Sequence, residues 1–318
     1  NEFDGLLLQE KIKVWYAPGP TREWDSQNKS RRDAAELIRE AFLASLQPDI
    51  VIITSMFEGY KDDAITSIGR IDKNTQVYSI LYDLIPLLNP DHYFKSNPTY
   101  KDYYERKKGY LEKSTCLLSI SEFSKHEGIN FLGNQAPPIV NVSCAADEVF
   151  QPIKLDKLQI QSVLSKYGIT RKFVMYTGGF DWRKNLPRLF RSYAKLSTHL
   201  RDNYQLVFVG KILEHALSIL KQEAKSAGLS EEELVFTGYV KDEELVTLYN
   251  ICDLYVFPSW HEGFGLPALE AISCGTSVIC AGTSSLPEVI NNEDALFDPF
   301  SEESITLKIT DALTKENF

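Results

Sequence analysis

No stretch of this sequence approaches the 18 or so consecutive apolar residues of a membrane span, so no transmembrane helix is expected. The opening NEFDGLLLQEKIKVWYAPGP also lacks the basic, apolar and small-residue order of a secretory signal. Cysteine is sparse. Cys116, Cys144, Cys252, Cys274 and Cys280 are odd in number, scattered and without a Cys-x-x-Cys pair, which argues against a disulfide framework or a cysteine zinc site. Buried thiols in a reducing cytoplasm are the expectation. The five histidines show no ligand spacing and there is no Asp-x-Asp pair, so no bound divalent metal is expected. A Gly-x-Gly-x-x-Gly fingerprint is missing, because Gly263-Phe264-Gly265 is followed by Leu-Pro-Ala, and no Gly-Lys-Ser/Thr occurs. Ordinary dinucleotide and P-loop readings drop out. Basic charge is in deficit too: 34 Lys+Arg stand against 44 Asp+Glu, a formal −10 that repels nucleic acid phosphates, so nucleic acid is not an expected partner.

What is present is an alternation of short β-branched and aromatic runs with longer segments of helical period, the pattern of α/β parallel sheets wrapped by helices. The expected strands are IKVWYA, DIVIITS, QVYSILYD, TCLLSIS and IVNVS in the first half, then KFVMYTG, QLVFVG, LVFTGYV, DLYVFPS, SVICAG and ALFDP. Helices are expected over Arg31 to Ser45, Tyr100 to Lys113, Leu186 to Ser197, Glu214 to Ala227 and Asp242 to Asn250. A length of 318 residues suits two domains. The break falls near SCAADEVFQPIKLD, dividing the chain into 1–147 and 148–318, each a Rossmann-like doubly wound domain. Such sheets bind ligands at the carboxyl ends of their strands, and a cleft between the domains is the expected site.

The most informative stretch is WHEGFGLPALEAISCG, residues 260 to 275. Pro267 suits a helix start and Gly275 a helix end, so a helix is expected from Pro267 to about Cys274. The preceding turn leaves backbone N–H groups of Gly263, Phe264, Gly265 and Leu266 to meet an anion at the helix N-terminus. Glu270, in the first turn among apolar neighbours, is expected to be at least half buried and to need donors. The vicinal hydroxyls of a ribose would supply them, and the alternative is a glutamate stabilised by the helix dipole alone. Glu262 lies in the turn, either beside a sugar cradled there or as a surface carboxylate. A second constellation, MYTGGFDWRKNLPRLF, bends at Gly178 and Gly179 and sets Arg183 and Lys184 just before a helix. Cations there oppose the helix dipole, so either a shared anion such as a diphosphate explains them or they are solvated loop residues. Asp83, at the carboxyl end of a first-half strand, either contacts substrate or caps the next turn.

Glu262, seven intervening residues, then Glu270, within PSWHEGFGLPALEAISCGTSVICAGTSSLPEV, resembles the signature of the retaining GT-B glycosyltransferases of family 4. GGFDWRKN and VFTGYVKDEELVTLYNICDLYVFPS extend the likeness over residues 139 to 318, and YDLIPLLNPDHYF with LLSISEFSK resembles the bacterial polysaccharide mannosyltransferase branch. The resemblance implies a GT-B pair of domains, the second holding a nucleotide sugar and the first the acceptor. It implies a ribose contact for Glu270, a sugar contact for Glu262 and neutralisation of the leaving diphosphate by Arg183 and Lys184. Gly178, Gly179 and the 263–266 backbone fall on the donor side, Val240 beside the base, and Asp83 on the acceptor and sugar side. No cofactor or metal is implied.

The function it implies is transfer of a hexose, with mannose from GDP-mannose favoured, onto a lipid-linked or growing surface polysaccharide, in the cytoplasm or peripherally at the inner membrane face. A UDP-glucose-type transferase of the same fold and a non-catalytic sugar-nucleotide-binding module are the alternatives. Two departures stand out. Tyr82 occupies the place before Asp83 where many family members carry histidine, and the opening strand with its glycine loop and the final crossover helices have no counterpart here. Either the chain is a fragment of a longer protein, with its first domain truncated at the N-terminus, or the cleft is built differently, and these 318 residues alone are expected to transfer sugar poorly.

Overall fold

The computed structural model describes residues 6–315. The chain divides into two compact units, one of Asn1–Ile120 with Ser124–Val142 and one of Ser121–Phe123 with Ser143–Phe318.

The first unit holds a parallel sheet of β1 (Ile50–Ile53), β2 (Gln76–Leu81), β3 (Cys116–Ser119) and β4 (Ile139–Asn141), in the spatial order β1-β2-β3-β4. Parallel crossovers are right-handed, so a chain that advances in one direction places its connecting helices on one face. Ile53, Leu81 and Leu117 point to that face and form the core with Tyr103, Tyr104 and Leu111 of the helix Pro98–Leu111 and with Leu132. On the opposite face, Ile50 and Ile52 of β1 remain 52% and 59% exposed. The stretch IKVWYA, expected as a strand, joins neither sheet, and its Val14 and Tyr16 side chains are exposed. Alternating hydrophobicity makes a segment competent for a strand, but the strand forms only where a neighbour offers a hydrogen-bond ladder.

The helix Lys29–Ser45 reverses the usual amphipathic arrangement. Arg32, Glu36 and Glu40 are buried while Leu37 and Ile38 are exposed. The carboxylates have partners: Glu36 meets Arg70, Arg106 and the Tyr110 hydroxyl, and Glu40 accepts from Ser67 Oγ and from the backbone N–H groups of Arg70 and Ile71. Buried charge of this kind is tolerated because Glu36 is both paired and hydrogen-bonded and Glu40 accepts three hydrogen bonds.

The second unit has six parallel strands, β5 (Lys172–Thr177), β6 (Tyr204–Val209), β7 (Leu234–Gly238), β8 (Leu254–Phe257), β9 (Val278–Ala281) and β10 (Leu296–Phe297). Their order is β10-β9-β8-β5-β6-β7. The chain moves outward from β5 to β7, returns to lay β8 against the other side of β5, and continues outward to β10. That reversal sends helices to both faces, and β6, β8 and β9 are buried at every residue. It also opens a crevice beyond the carboxyl ends of β5 and β8, the switch point at which doubly wound sheets bind ligands. Helix limits follow local chemistry. Asp156 and Gln159 form a capping box at the start of Lys157–Tyr167, and left-handed Gly168 ends it. The segment expected as one helix from Leu186 to Ser197 stops at Ala194. Ser197 Oγ then accepts from Leu200 N and caps a separate helix, Thr198–Asn203.

Candidate functional site

The loop after β5 begins with Gly178 at φ 140°, whose N–H donates to Val209 O. A Cβ on Gly178 would lie 2.7 Å from Tyr176 Oη, and one on Gly210 would lie 2.7 Å from Gly178 O, so the close approach of the two backbones requires glycine at 210. Gly179, by contrast, faces open space. Asp181 Oδ1 then accepts from Arg183 N, closing the short turn Trp182–Lys184. Asn185 takes a left-handed conformation, φ 61°, to enter the helix Leu186–Ala194. Its amide donates to Pro258 O at 3.2 Å and to Pro299 O at 2.8 Å, which pins this loop to the carboxyl end of β8.

Arg183 and Lys184 consequently point at the turn that follows β8. Arg183 Nη1 donates to Glu262 Oε2 at 2.7 Å and to His261 O at 2.7 Å, and Lys184 Nζ donates to Glu262 Oε1 at 2.6 Å. The anion that both cations share in this structure is thus a carboxylate of the same chain. Glu262 is 8% exposed. Burial pushes its carboxyl up, but Lys184 and Arg183, through charge and hydrogen bonds together, hold it below the ordinary carboxylate range. The turn is clamped from behind by Thr283, Ser284 and Ser285. Thr283 Oγ1 donates to Trp260 O, Glu262 N donates to Ser284 Oγ, and Ser285 Oγ, wholly buried, approaches both Glu262 O at 3.0 Å and Phe264 O at 2.7 Å.

The helix carrying the second glutamate spans Leu266–Ser273, with Pro267 at its second position and no side-chain cap. Gly265 precedes it at φ 109°, where a Cβ would meet Leu286 Cδ2 at 2.5 Å. Glu270 is the fifth helical residue, in the second turn where the first was expected. It is partly buried, and its Oε2 accepts from Tyr249 Oη at 3.0 Å. Burial raises its carboxyl above the ordinary value, the Tyr249 hydrogen bond opposes that rise, and the Asp242 charge adds to it. Tyr249 Oη lies 3.1 Å from Thr177 Oγ1, which lies 2.8 Å from Tyr255 Oη. The donor expected for Glu270 is therefore supplied in part by the protein.

Around the β5–β8 switch point the fold assembles Gly178, Gly179, Arg183, Lys184, Glu262, Gly263, Phe264, Gly265, Leu266 and Glu270. Val240 stands apart, beyond β7, with a 6% exposed side chain that belongs to the core, whereas neighbouring Tyr239 is 72% exposed. Any contact of Val240 with a base would have to come from its backbone. Asp83 belongs to the first unit, where its Oδ1 accepts from Ile85 N, the turn-capping geometry. Thr177, Tyr249, Tyr255, Asn185, Ser284 and Ser285 were not anticipated from the sequence. Thr177 alone carried a signal, as the hydroxyl residue at a strand end directly before the glycine bend. Among the described residues no group of three or more His, Cys, Asp or Glu is placed to hold a metal, and no helix is long and apolar enough to cross a membrane.

The family model for glycosyl transferases group 1 matches residues 162–318, the span that contains every element of this switch-point site. Residues 162–318 belong to the glycosyl transferases group 1 family. The chain is also 36% identical over 316 residues to the serotype-specific mannosyltransferase WbdA of Escherichia coli, covering 99% of this chain and 39% of WbdA. It is 32% identical over 209 residues to O-antigen chain mannosyltransferase B of Escherichia coli, covering 65% of this chain and 54% of that protein. The chain thus spans about two-fifths of the length of WbdA. Among solved structures, sucrose-phosphate synthase from Thermosynechococcus elongatus superposes with a TM-score of 0.71 at 19% identity, covering 91% of this chain and 69% of that one. WaaG, a glycosyltransferase involved in lipopolysaccharide biosynthesis, superposes with a TM-score of 0.69 at 17% identity, covering 93% and 76%. At such identities these structures speak to the fold, and the two parallel α/β units match GT-B glycosyltransferases. The group 1 domain therefore carries Glu262 and Glu270 on the turn and helix that follow β8.

Proposed function

We propose that this chain is the nucleotide-sugar-using part of a retaining hexosyltransferase of family 4 that moves mannose from GDP-mannose onto a growing or lipid-linked surface polysaccharide. The observation that carries the reading is the convergence of Arg183, Lys184, Glu262 and Glu270 on the β5–β8 switch point. The likeness to mannosyltransferases supports mannose as the sugar. In this reading Glu270 accepts hydrogen bonds from the ribose and Glu262 stands beside the hexose. The donor diphosphate sits between the uncapped start of Leu266–Ser273 and the Arg183–Lys184 pair. Two cations and one carboxylate leave the triad with one net positive charge, which favours an arriving dianion. As the C1–O bond to the diphosphate breaks, its electron pair passes to the phosphate oxygen, and Arg183 and Lys184 stabilise the charge that develops. The acceptor hydroxyl oxygen bonds C1 from the same face and gives its proton to the leaving phosphate, so the anomeric configuration is retained. Fixed cations and backbone N–H groups do this without a metal, and the enzyme works peripherally at the inner membrane face where lipid-linked acceptors are presented.

The test is transfer of labelled sugar to a mannan-type acceptor, with GDP-mannose and UDP-glucose compared. Mannose transfer with an α-linked product supports the reading. Transfer of glucose alone would reassign the donor, and binding of either donor without turnover would make the chain a sugar-nucleotide-binding module.

A further inference from the structure

The hydroxyl chain behind Glu270 has a fixed direction. A carboxylate only accepts, so Tyr249 Oη must donate to Glu270 Oε2. A phenol has one proton, so the 3.1 Å contact between Tyr249 and Thr177 must run from Thr177 Oγ1 to Tyr249 Oη. Thr177 has then spent its own proton, and the 2.8 Å contact with Tyr255 must run from Tyr255 Oη to Thr177 Oγ1. All three donors are buried, and burial holds the two phenols neutral, well above their ordinary range. Three hydrogen bonds in series thus point positive ends toward one carboxylate, and each strengthens the next in a medium of low dielectric. The chain draws its members from three separate elements, β5, β8 and the helix Asp242–Ile251, all converging on a side chain from a fourth.

We propose that Tyr249, with Thr177 and Tyr255 behind it, is the positioning residue that holds Glu270 ionised and oriented to accept both ribose hydroxyls of the donor nucleotide. The inference deepens the nucleotide-sugar reading and rests on it. Tyr249 holds one carboxylate oxygen from the protein side, which orients the carboxylate plane and turns the rest of its acceptor capacity toward the crevice. Burial alone would favour a protonated Glu270, and a protonated acid spends one oxygen as a donor and can no longer accept at both.

Isothermal titration separates this from a packing role. GDP or UDP, whichever binds the protein more tightly, is compared with its 2′,3′-dideoxy form, and the ratio of the two affinities is the readout. The wild type is expected to favour the ribonucleotide, and Glu270→Ala to erase the preference. Tyr249→Phe should reduce the preference by about tenfold while leaving the dideoxy affinity within about twofold, since a hydrogen bond to a charged group is at stake. Thr177→Val should reduce it by about threefold and Tyr255→Phe by less, because each acts one bond further away. Thr177→Ser, which restores the hydroxyl, should recover the wild-type ratio, and the Thr177 pair decides the matter if Tyr249→Phe does not fold. If Tyr249→Phe or Thr177→Val weakens both nucleotides equally, the residues only pack and the inference falls. It also falls if Glu270→Ala erases the preference and both variants keep it. If the wild type binds neither nucleotide, or shows no ribose preference, the nucleotide reading falls first and takes the inference with it.

Discussion

Glu262 and Glu270 lie on one turn and one helix with seven residues between them, and the structure treats them in opposite ways. Glu262 is enclosed by two cations and held below the ordinary carboxylate range. Glu270 accepts from the neutral Tyr249 hydroxyl, and burial with the nearby Asp242 charge raises it above that range. A carboxylate already neutralised by its own chain contributes to the folded state, whereas one raised by burial costs stability until a ligand supplies further donors. The difference separates a residue that organises the site from one that waits for something to bind.

The largest effect that would sharpen this comparison is kinetic. Lys184→Ala should lower kcat by about 10²–10³ with little change in KM, the scale for removing one preorganised charge from a developing oxyanion. A rise in KM alone would remove Lys184 from the transition state and leave it as a partner of Glu262. Next comes stability. Glu262→Ala leaves Arg183 and Lys184 facing each other in a largely buried site and should cost about 3 kcal/mol, read from the urea midpoint. The pH dependence follows from the sign of the shift. The Glu262 carboxyl is depressed in the folded protein, so its contribution is full above the unfolded value and is lost as pH falls through the folded one. The stability gap between wild type and Glu262→Gln should therefore close in acid. The smallest effect has the opposite sign. The Glu270 carboxyl is raised, so ionising it costs stability above the folded value, and that cost vanishes below the unfolded one. At neutral pH Glu270→Gln should equal the wild type in stability or exceed it by up to about 1 kcal/mol, the usual trade at a functional site. A marked destabilisation by Glu270→Gln would break the contrast.

Much of the second unit was legible because its chemistry is local. Strands β5 to β9 are largely apolar runs that lead into or end at glycine or proline, and Gly178, Gly265 and Pro267 fix the loops where conformation demands them. The Glu262–Arg183–Lys184 triad was hidden, because 78 residues separate Lys184 from Glu262 and only the adjacency of β5 and β8 joins them. The Tyr249–Thr177–Tyr255 chain was hidden for the same reason, since its hydroxyls come from β5, the helix Asp242–Ile251 and β8 and meet only in the folded protein. In the first unit, the helix Lys29–Ser45 carries charge inward, where periodicity expects apolar residues. Its pairing with Arg70 and Arg106 is a tertiary fact that no window of sequence shows. IKVWYA marks the converse limit, a strand pattern left without a ladder. The reversal in strand order that creates a switch point belongs, among the described residues, to the second sheet, and it is topology that separates the two sheets more than composition.

The most direct measurement of the central claim is the thermal shift of wild type and Glu270→Ala with GDP-mannose, UDP-glucose and ADP-glucose at equal concentration. At equal concentration, a ligand that binds the folded state alone raises the melting temperature more the tighter it binds, with the logarithm of its affinity. The account predicts the largest rise with GDP-mannose for the wild type and its loss in Glu270→Ala. No rise with any donor, an equal rise with all three, or an undiminished rise in Glu270→Ala would contradict it.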